Sequence, residues 1–268
     1  MTTTAPDSAT ARRLLDGLLP LVACAAARVL EVYAGDFTAR TKADRSPVTE
    51  ADERAEAVIL EGLARLTPDW PVVAEEAVAR GAVPRVGDGP FWLVDPLDGT
   101  REFVARRGEF TVNVGLVVDG RSVLGVVTAP ALATTWYGAA ALGAFRQDRE
   151  GCRPIRVRRA DPARLVAVAS RSHRDPETDA WLARHGIRET VAAGSSLKFC
   201  VIAEGGADVY PRFGRTMEWD TAAGQAVLEA AGGRVLTVDG TPLRYAKPGF
   251  VNPGFVAWGG LEPGSDPA

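Results

Sequence analysis

Histidine is scarce in this chain, with two in 268 residues, and that excludes a histidine-rich zinc centre. The three cysteines, Cys24, Cys152 and Cys200, are odd in number, far apart and in no metal-ligand spacing. A disulfide framework is thereby excluded, and reduced thiols in a cytoplasmic protein are the expected state. There is no basic excess: 31 Lys and Arg stand against 34 Asp and Glu, a net charge of −3. A nucleic-acid polymer, which demands a basic face, is not an expected partner. No hydrophobic run reads as a membrane span. Residues 14–30 come nearest and are interrupted by Asp16, Gly17, Pro20 and Arg28, with no signal-peptide cleavage pattern before them. They read as a core helix, which leaves peripheral membrane association open. No internal repeat or low-complexity tract occurs. What remains is an ordinary soluble composition, 46% hydrophobic and 24% charged, long enough to bury a sizeable core. A hard, oxygen-liganded cation such as magnesium is still compatible with it.

Hydrophobic spacing predicts a first helix from Leu14 to Tyr33, ending before Gly35 and kinked or divided at Pro20. Thr49 is the expected N-cap of a second helix bearing Ala55, Val58, Ile59 and Leu63. Residues 71–74 form a short strand that runs into Glu75 and Glu76. From Phe110 the period becomes two, with further strands at 122–129 and 134–139 and a hairpin turn at Asp119 and Gly120. After Gly151 strands and helices alternate: a strand at 165–169, a helix from Pro176 to Arg184, a helix at 195–204, a short strand at Val209 and Tyr210, and a helix at 220–231 closed by Gly232 and Gly233. The expectation is an α+β protein in two interdependent subdomains. Residues 1–148 carry a mostly antiparallel sheet, and residues 149–268 a mixed one.

The chemistry concentrates in residues 92–103, WLVDPLDGTREF, where an apolar segment delivers Asp95 and Asp98 into a stretch rich in Pro and Gly. Surface turns share that composition. Two carboxylates so close repel, however, and holding both ionised calls for a cation. Asp52, Glu75 and Asp220 also fall at element ends. Each has a plain structural role open to it: first-turn residue for Asp52, solvated strand end for Glu75, N-cap for Asp220.

The segments KADRSPVTEAD (42–52), VVAEEA (72–77), WLVDPLDGTREF (92–103) and WDTAAGQAVLEAAGG (219–233), in this order and spacing, resemble the inositol monophosphatase superfamily of lithium-sensitive, magnesium-dependent phosphatases. SRSH (170–173), GSSLKFC (194–200), YPRFG (210–214) and NPGF (252–255) sharpen the resemblance toward its bacterial 3'(2'),5'-bisphosphate nucleotidase branch. The resemblance implies a layered α/β/α/β/α sandwich. It also implies magnesium, two or three ions, held by Glu75, Asp95, the Leu97 carbonyl, Asp98 and Asp220. Glu75 and Thr100 would position the attacking water, Asp52 would support a further metal or its waters, and Asp98 belongs to the same catalytic group. Lys42 matches a basic residue at the edge of the site. Two departures are small: Ala74 stands where Ser or Gly is usual, and Arg101 where Lys is common.

For the substrate, an adenosine 3',5'-bisphosphate, the resemblance implies contacts from Gly99, Thr100, Arg101, His173, Ser195, Ser196, Lys198, Tyr210, Arg212 and Asp220. Several of these have independent chemical reasons. Ser195 and Ser196 open a helix, where free N–H groups favour an anion, or cap that helix. Lys198 and Arg212 bring positive charge, and Arg212 can clasp a phosphate bidentately. Tyr210 or Phe213 could stack on adenine, with core packing favoured for Phe213. Trp92 and Trp219 are expected to pack beneath the motif aspartates. An inositol phosphate or fructose 1,6-bisphosphate would use the same metal ligands. A non-catalytic nucleotide-binding regulator would show the loss of a ligand or of Thr100, and none is lost. A homodimer is compatible with all of this.

Overall fold

The computed structural model describes residues 5–41, 47–170 and 175–261. Lys42 and His173 lie outside the described residues.

The chain begins with α1 (Ser8–Ala34), capped by the Asp7 carboxylate, which accepts the Thr10 N–H. Pro20 neither divides nor ends this helix. It sits on the exposed side, so the hydrogen bond it cannot make concerns a carbonyl facing water, while Leu14, Leu18, Val22 and Val29 pack inward undisturbed. The uninterrupted helix is long and apolar enough to cross a membrane, at a mean hydropathy of 1.6, contrary to the expectation from sequence. Its inner face is core. Strands β1 (Arg40–Thr41) and β2 (Pro47–Val48) pair antiparallel, and α2 (Glu50–Leu66) follows behind a Thr49–Asp52 capping box.

A seven-stranded sheet comes next, ordered β3 (Val72–Ala74), β4 (Phe91–Asp98), β5 (Thr111–Val118), β6 (Arg121–Ala129), β7 (Thr134–Ala139), β8 (Gly143–Asp148) and β9 (Gly151–Ile155). Only β3 and β4 run parallel. The short helices α3 (Glu75–Ala79) and α4 (Thr100–Val104) follow β3 and β4 directly, so Glu75 begins a helix rather than ending a strand. A subdomain boundary at 148/149 falls inside the β8–β9 hairpin; the first sheet runs on to Ile155. The β5–β6 turn has positive φ at both Asp119 and Gly120, as a tight hairpin requires.

The second half contributes β10 (Val166–Ser170), α5 (Pro176–Arg184), β11 (Glu189–Ala193), α6 (Leu197–Ala203), β12 (Val209–Arg212), α7 (Glu218–Ala230), β13 (Arg234–Thr237) and β14 (Phe255–Trp258). Its mixed sheet is ordered β11-β10-β12-β14-β13. The layers are therefore α1 and α2, the large sheet, α6 and α7, the smaller sheet, and α5. Strand β5 is buried along both faces, because α1 packs on one and α7 on the other. Gly115 and Gly125 make the second contact possible: a Cβ at Gly125 would lie 2.3 Å from the Ala223 carbonyl oxygen, and one at Gly115 2.8 Å from the Ala223 nitrogen. Helix α7 thus lies almost on the backbone of the sheet, and its N-terminus reaches the end of β4.

Candidate active site

Strand β4 continues through both aspartates. The Asp95 carboxylate accepts the N–H of Leu97 at 3.0 Å, closing an Asx turn within the strand, and the pairing with β5 shifts register between Asp95 and Asp98. The bulge brings both carboxyls to one end of the sheet. Gly99 then takes φ +87°, a conformation that suits glycine, and turns the chain into α4. The Thr100 hydroxyl reaches back to the Leu97 carbonyl at 3.1 Å and to Asp52 at 3.4 Å. Asp52 is itself fixed, accepting both the N–H and the hydroxyl of Thr49 at 2.8 Å.

These groups open on a cleft of about 270 Å³ between the halves. Glu75, Asp95, Leu97, Asp98, Gly99, Thr100, Arg101, Ser195, Ser196, Lys198, Tyr210, Arg212 and Asp220 all line it. Asp52 lies beneath and is connected through Thr100. Asp220 is not an N-cap. It occupies the first turn of α7 and reaches back to accept the Met217 N–H at 2.8 Å.

Burial is the leading influence on the acidic wall. It drives the Asp95 and Asp220 carboxyls well above the usual carboxylate range and Asp98 up to about 6. Mutual repulsion adds to it: Asp95 feels Glu75, Asp98 and Asp220, and Asp220 feels Asp98 and Glu75. Lys198 and the Ser196 N–H pull Asp98 back down. Among the described residues no three side chains already form an ion cage. The carboxylates ring the cleft instead, and a hydrogen bond to Glu75 helps Asp95 keep its proton. Hard oxygen donors that burial and repulsion force to hold protons are the arrangement a divalent cation relieves, so the residues fit such an ion.

The rest of the lining is cationic and hydroxylic. Lys198 is buried, donates to the Ser195 carbonyl at 2.6 Å and lies 5.3 Å from the centre of the Tyr210 ring. Burial brings its ammonium down to about 8. Ser195 has a positive φ of 44°, and its buried hydroxyl and the buried Arg212 Nε–H have no hydrogen-bond partner among the described residues. Two donors held out of water without acceptors suit an anion.

Of the two adjacent serines only Ser195 offers its hydroxyl; that of Ser196 is committed to Asn113 and does not cap α6. Tyr210 packs edge-on against Phe199 and Phe255 at 5.4 and 5.7 Å, so its ring is core. Phe213 is half-buried in a separate groove beside Trp181. Trp92 and Trp219 are both buried, Trp92 donating to the Thr67 hydroxyl and Trp219 lying against Phe250. Sequence reasoning passed over Glu102, which lies in WLVDPLDGTREF and lines the cleft, and also Asn113 and Glu56, which lie in no motif with an evident chemical reading.

The model of the inositol monophosphatase family matches residues 11–260. Over 245 residues the chain is 46% identical to the 3'(2'),5'-bisphosphate nucleotidase CysQ of Escherichia coli, covering 90% of this chain and 98% of that one. The crystal structure of CysQ from Bacteroides thetaiotaomicron superposes with a TM-score of 0.77 at 37% identity, covering 92% of this chain and 97% of that one. An inositol monophosphatase from Anabaena superposes with a TM-score of 0.73 at 28% identity, covering 92% of this chain and 90% of that one.

Proposed function

This chain belongs to the inositol monophosphatase family, and on that footing we propose that it is a magnesium-dependent 3'(2'),5'-bisphosphate nucleotidase, removing the 3'-phosphate of adenosine 3',5'-bisphosphate to leave AMP and phosphate. The 5'-phosphosulfate analogue of that nucleotide fits the same description. The observation that carries the reading is that one cleft is lined both by a set of buried carboxyls and by a set of anion-binding donors.

Glu75, Asp95, the Leu97 carbonyl, Asp98 and Asp220 would hold the magnesium, two or three ions. Bound magnesium supplies neutralisation of the phosphoryl oxygens and a water acidified for attack. The chain's own residues do the positioning. The Thr100 proton points to Asp52 and the Leu97 carbonyl, both acceptors, which leaves the hydroxyl lone pairs to receive a hydrogen bond from the attacking water. Glu75 is the carboxylate placed to take the proton of that water. Ser195, Lys198 and Arg212 hold the phosphates of the nucleotide, matching orphaned donors to oxygen acceptors. Little covalent help is available to phosphoryl transfer, so alignment and charge neutralisation provide most of the rate.

An inositol phosphate or a sugar bisphosphate would use the same acidic wall. The anion-binding donors discriminate, since a substrate with one phosphate leaves part of them unmatched. Phosphate release from adenosine 3',5'-bisphosphate, inositol 1-phosphate and fructose 1,6-bisphosphate, measured side by side with magnesium, tests this; faster turnover of the inositol phosphate overturns it. Three free thiols fit the reducing cytoplasm. Light scattering tests the homodimer.

A further inference from the structure

Helix α3 has a defect at its start. Glu75 is its first residue, and the N-cap position is Ala74, which has no side-chain acceptor for the first N–H groups. Those N–H groups are nevertheless satisfied. The carboxylate of Glu56, on α2 and twenty positions earlier, accepts the Glu76 N–H at 2.8 Å and also bonds the N–H of Ala77. These are the second and third residues of the helix, the pair an N-cap side chain serves. Its other oxygen takes Arg80, in the position closing α3, at 2.7 Å. Glu56 is 1% exposed, and every neighbour it bonds is a donor, so an acceptor-only side chain suits the place.

Helix α2 also carries Asp52, one turn earlier on the same helix, and its own start is fixed by Thr49. One rigid element therefore sets the distance between Asp52, which orients Thr100, and the backbone that carries Glu75.

We propose that Glu56 is the positioning residue for Glu75: it caps α3 from a neighbouring helix, in place of the missing side chain at Ala74, and so holds the Glu75 carboxylate at the acidic wall. The inference rests on the magnesium reading of that wall. It extends that reading to a residue that does not line the cleft. Outer groups that orient ligands change metal affinity by about 10–100-fold when removed.

Magnesium binding to the metal-stripped full chain, followed by titration calorimetry with magnesium chloride alone and without substrate, tests it. Glu56→Ala should weaken magnesium by at least about tenfold. Ala74→Ser supplies a cap within α3 itself, the extended backbone at 74 being suited to one. In the Glu56→Ala background it should restore most of the affinity. A merely structural role for Glu56 would lower the melting temperature in EDTA and leave the magnesium constant within twofold of the parent protein; that result overturns the proposal, as does failure of Ala74→Ser to rescue. If Glu56→Ala does not fold, Glu56→Leu takes its place: it keeps the bulk but offers no acceptor to the Glu76 and Ala77 N–H groups, so magnesium should weaken by several-fold, and unchanged affinity again overturns the proposal. A parent protein that takes up no magnesium overturns the reading of the acidic wall itself, and this inference with it.

Discussion

Ser196 donates its hydroxyl proton to the Oδ1 of Asn113 at 2.7 Å, between the two halves of the chain. A hydroxyl has one proton, so the Thr111 hydroxyl, 2.8 Å away, must be the donor in its own contact with Ser196. Asn113 lies opposite Asp95 in the β-ladder and Thr111 opposite Asp98, while the Ser196 N–H serves Asp98 directly. The segment that brings Ser195 and Ser196 to the cleft is thus tied to the two strands that carry and support the aspartates. The tie is dry: all three side chains are buried.

Ser196→Ala removes this tie and leaves an amide oxygen and a threonine hydroxyl without partners. A loss of about 1–3 kcal/mol of stability is expected from the orphaned groups. A raised KM for the nucleotide should accompany it. Denaturation midpoints for Ser196→Ala, Asn113→Ala and the double variant should show coupling of at least ~0.5 kcal/mol, as for residues in one network; strictly additive effects would refute the tie.

Asp95→Asn should lower turnover at least ~10³-fold, the order found when a residue central to the chemistry is removed. The fold should survive, because the variant removes a charge that burial already disfavours. In EDTA it should melt no lower than the parent protein, and added magnesium should raise its melting temperature less. Retained activity at a tenth of the parent rate would disprove the assignment.

The acidic wall also fixes a pH dependence. The folded, metal-free protein holds the Asp98 proton up to about pH 6, whereas an unfolded aspartate releases it near 4. Between those values the folded state binds more protons, so its stability falls as pH rises and the loss is complete above 6. Asp95 and Asp220 act in the same direction. Magnesium competes with those protons, so its stabilisation should be larger at pH 8 than at pH 5. For a chain of this length ~1 kcal/mol corresponds to ~2–4 °C, and the gap between melting curves with magnesium and with EDTA should widen by several degrees. Equal gaps at the two pH values would contradict the mechanism.

Lys198→Met tests the anion-binding donors. A charge-assisted hydrogen bond to phosphate is worth about 1.5–3 kcal/mol, so kcat/KM for adenosine 3',5'-bisphosphate should drop by ~10–100-fold. The drop for inositol 1-phosphate should be smaller. Parallel assays on the two substrates give the answer, and an equal drop on both would remove Lys198 from nucleotide selection.

Much of this site was legible because its signals are local. The residues of WLVDPLDGTREF announce two carboxylates beside a glycine, and the Asx turn that aims them spans two positions. The capping box of α2 likewise needs only Thr49 and Asp52. What was missed depends on partners distant in sequence. Nothing near Asn113 shows that Ser196, 83 positions later, will need its amide oxygen. Nothing near Glu56 shows that Ala74 will leave a helix uncapped. Asp220 was placed one turn wrongly because Met217 has no capping side chain to mark the start of α7. Strand β11 escaped notice because four of its five residues are exposed and it carries no alternation. In β5 the alternation was real in sequence yet not in burial, since Thr111 and Asn113 meet Ser196 and Gly115 meets α7, all from the other half of the chain.

That last arrangement has a consequence for how the protein is made. Gly115, Gly125 and Gly138 are bare where Ala222, Ala223 and Ala230 settle onto them. A chain made only as far as β9 lacks the helix that covers this face, so the apolar strands that have emerged are open to self-association until α7 arrives. The helix that covers it also brings Asp220. Chains truncated before α7 lack both together, so a molecule missing its last acidic group is also one whose sheet is left uncovered.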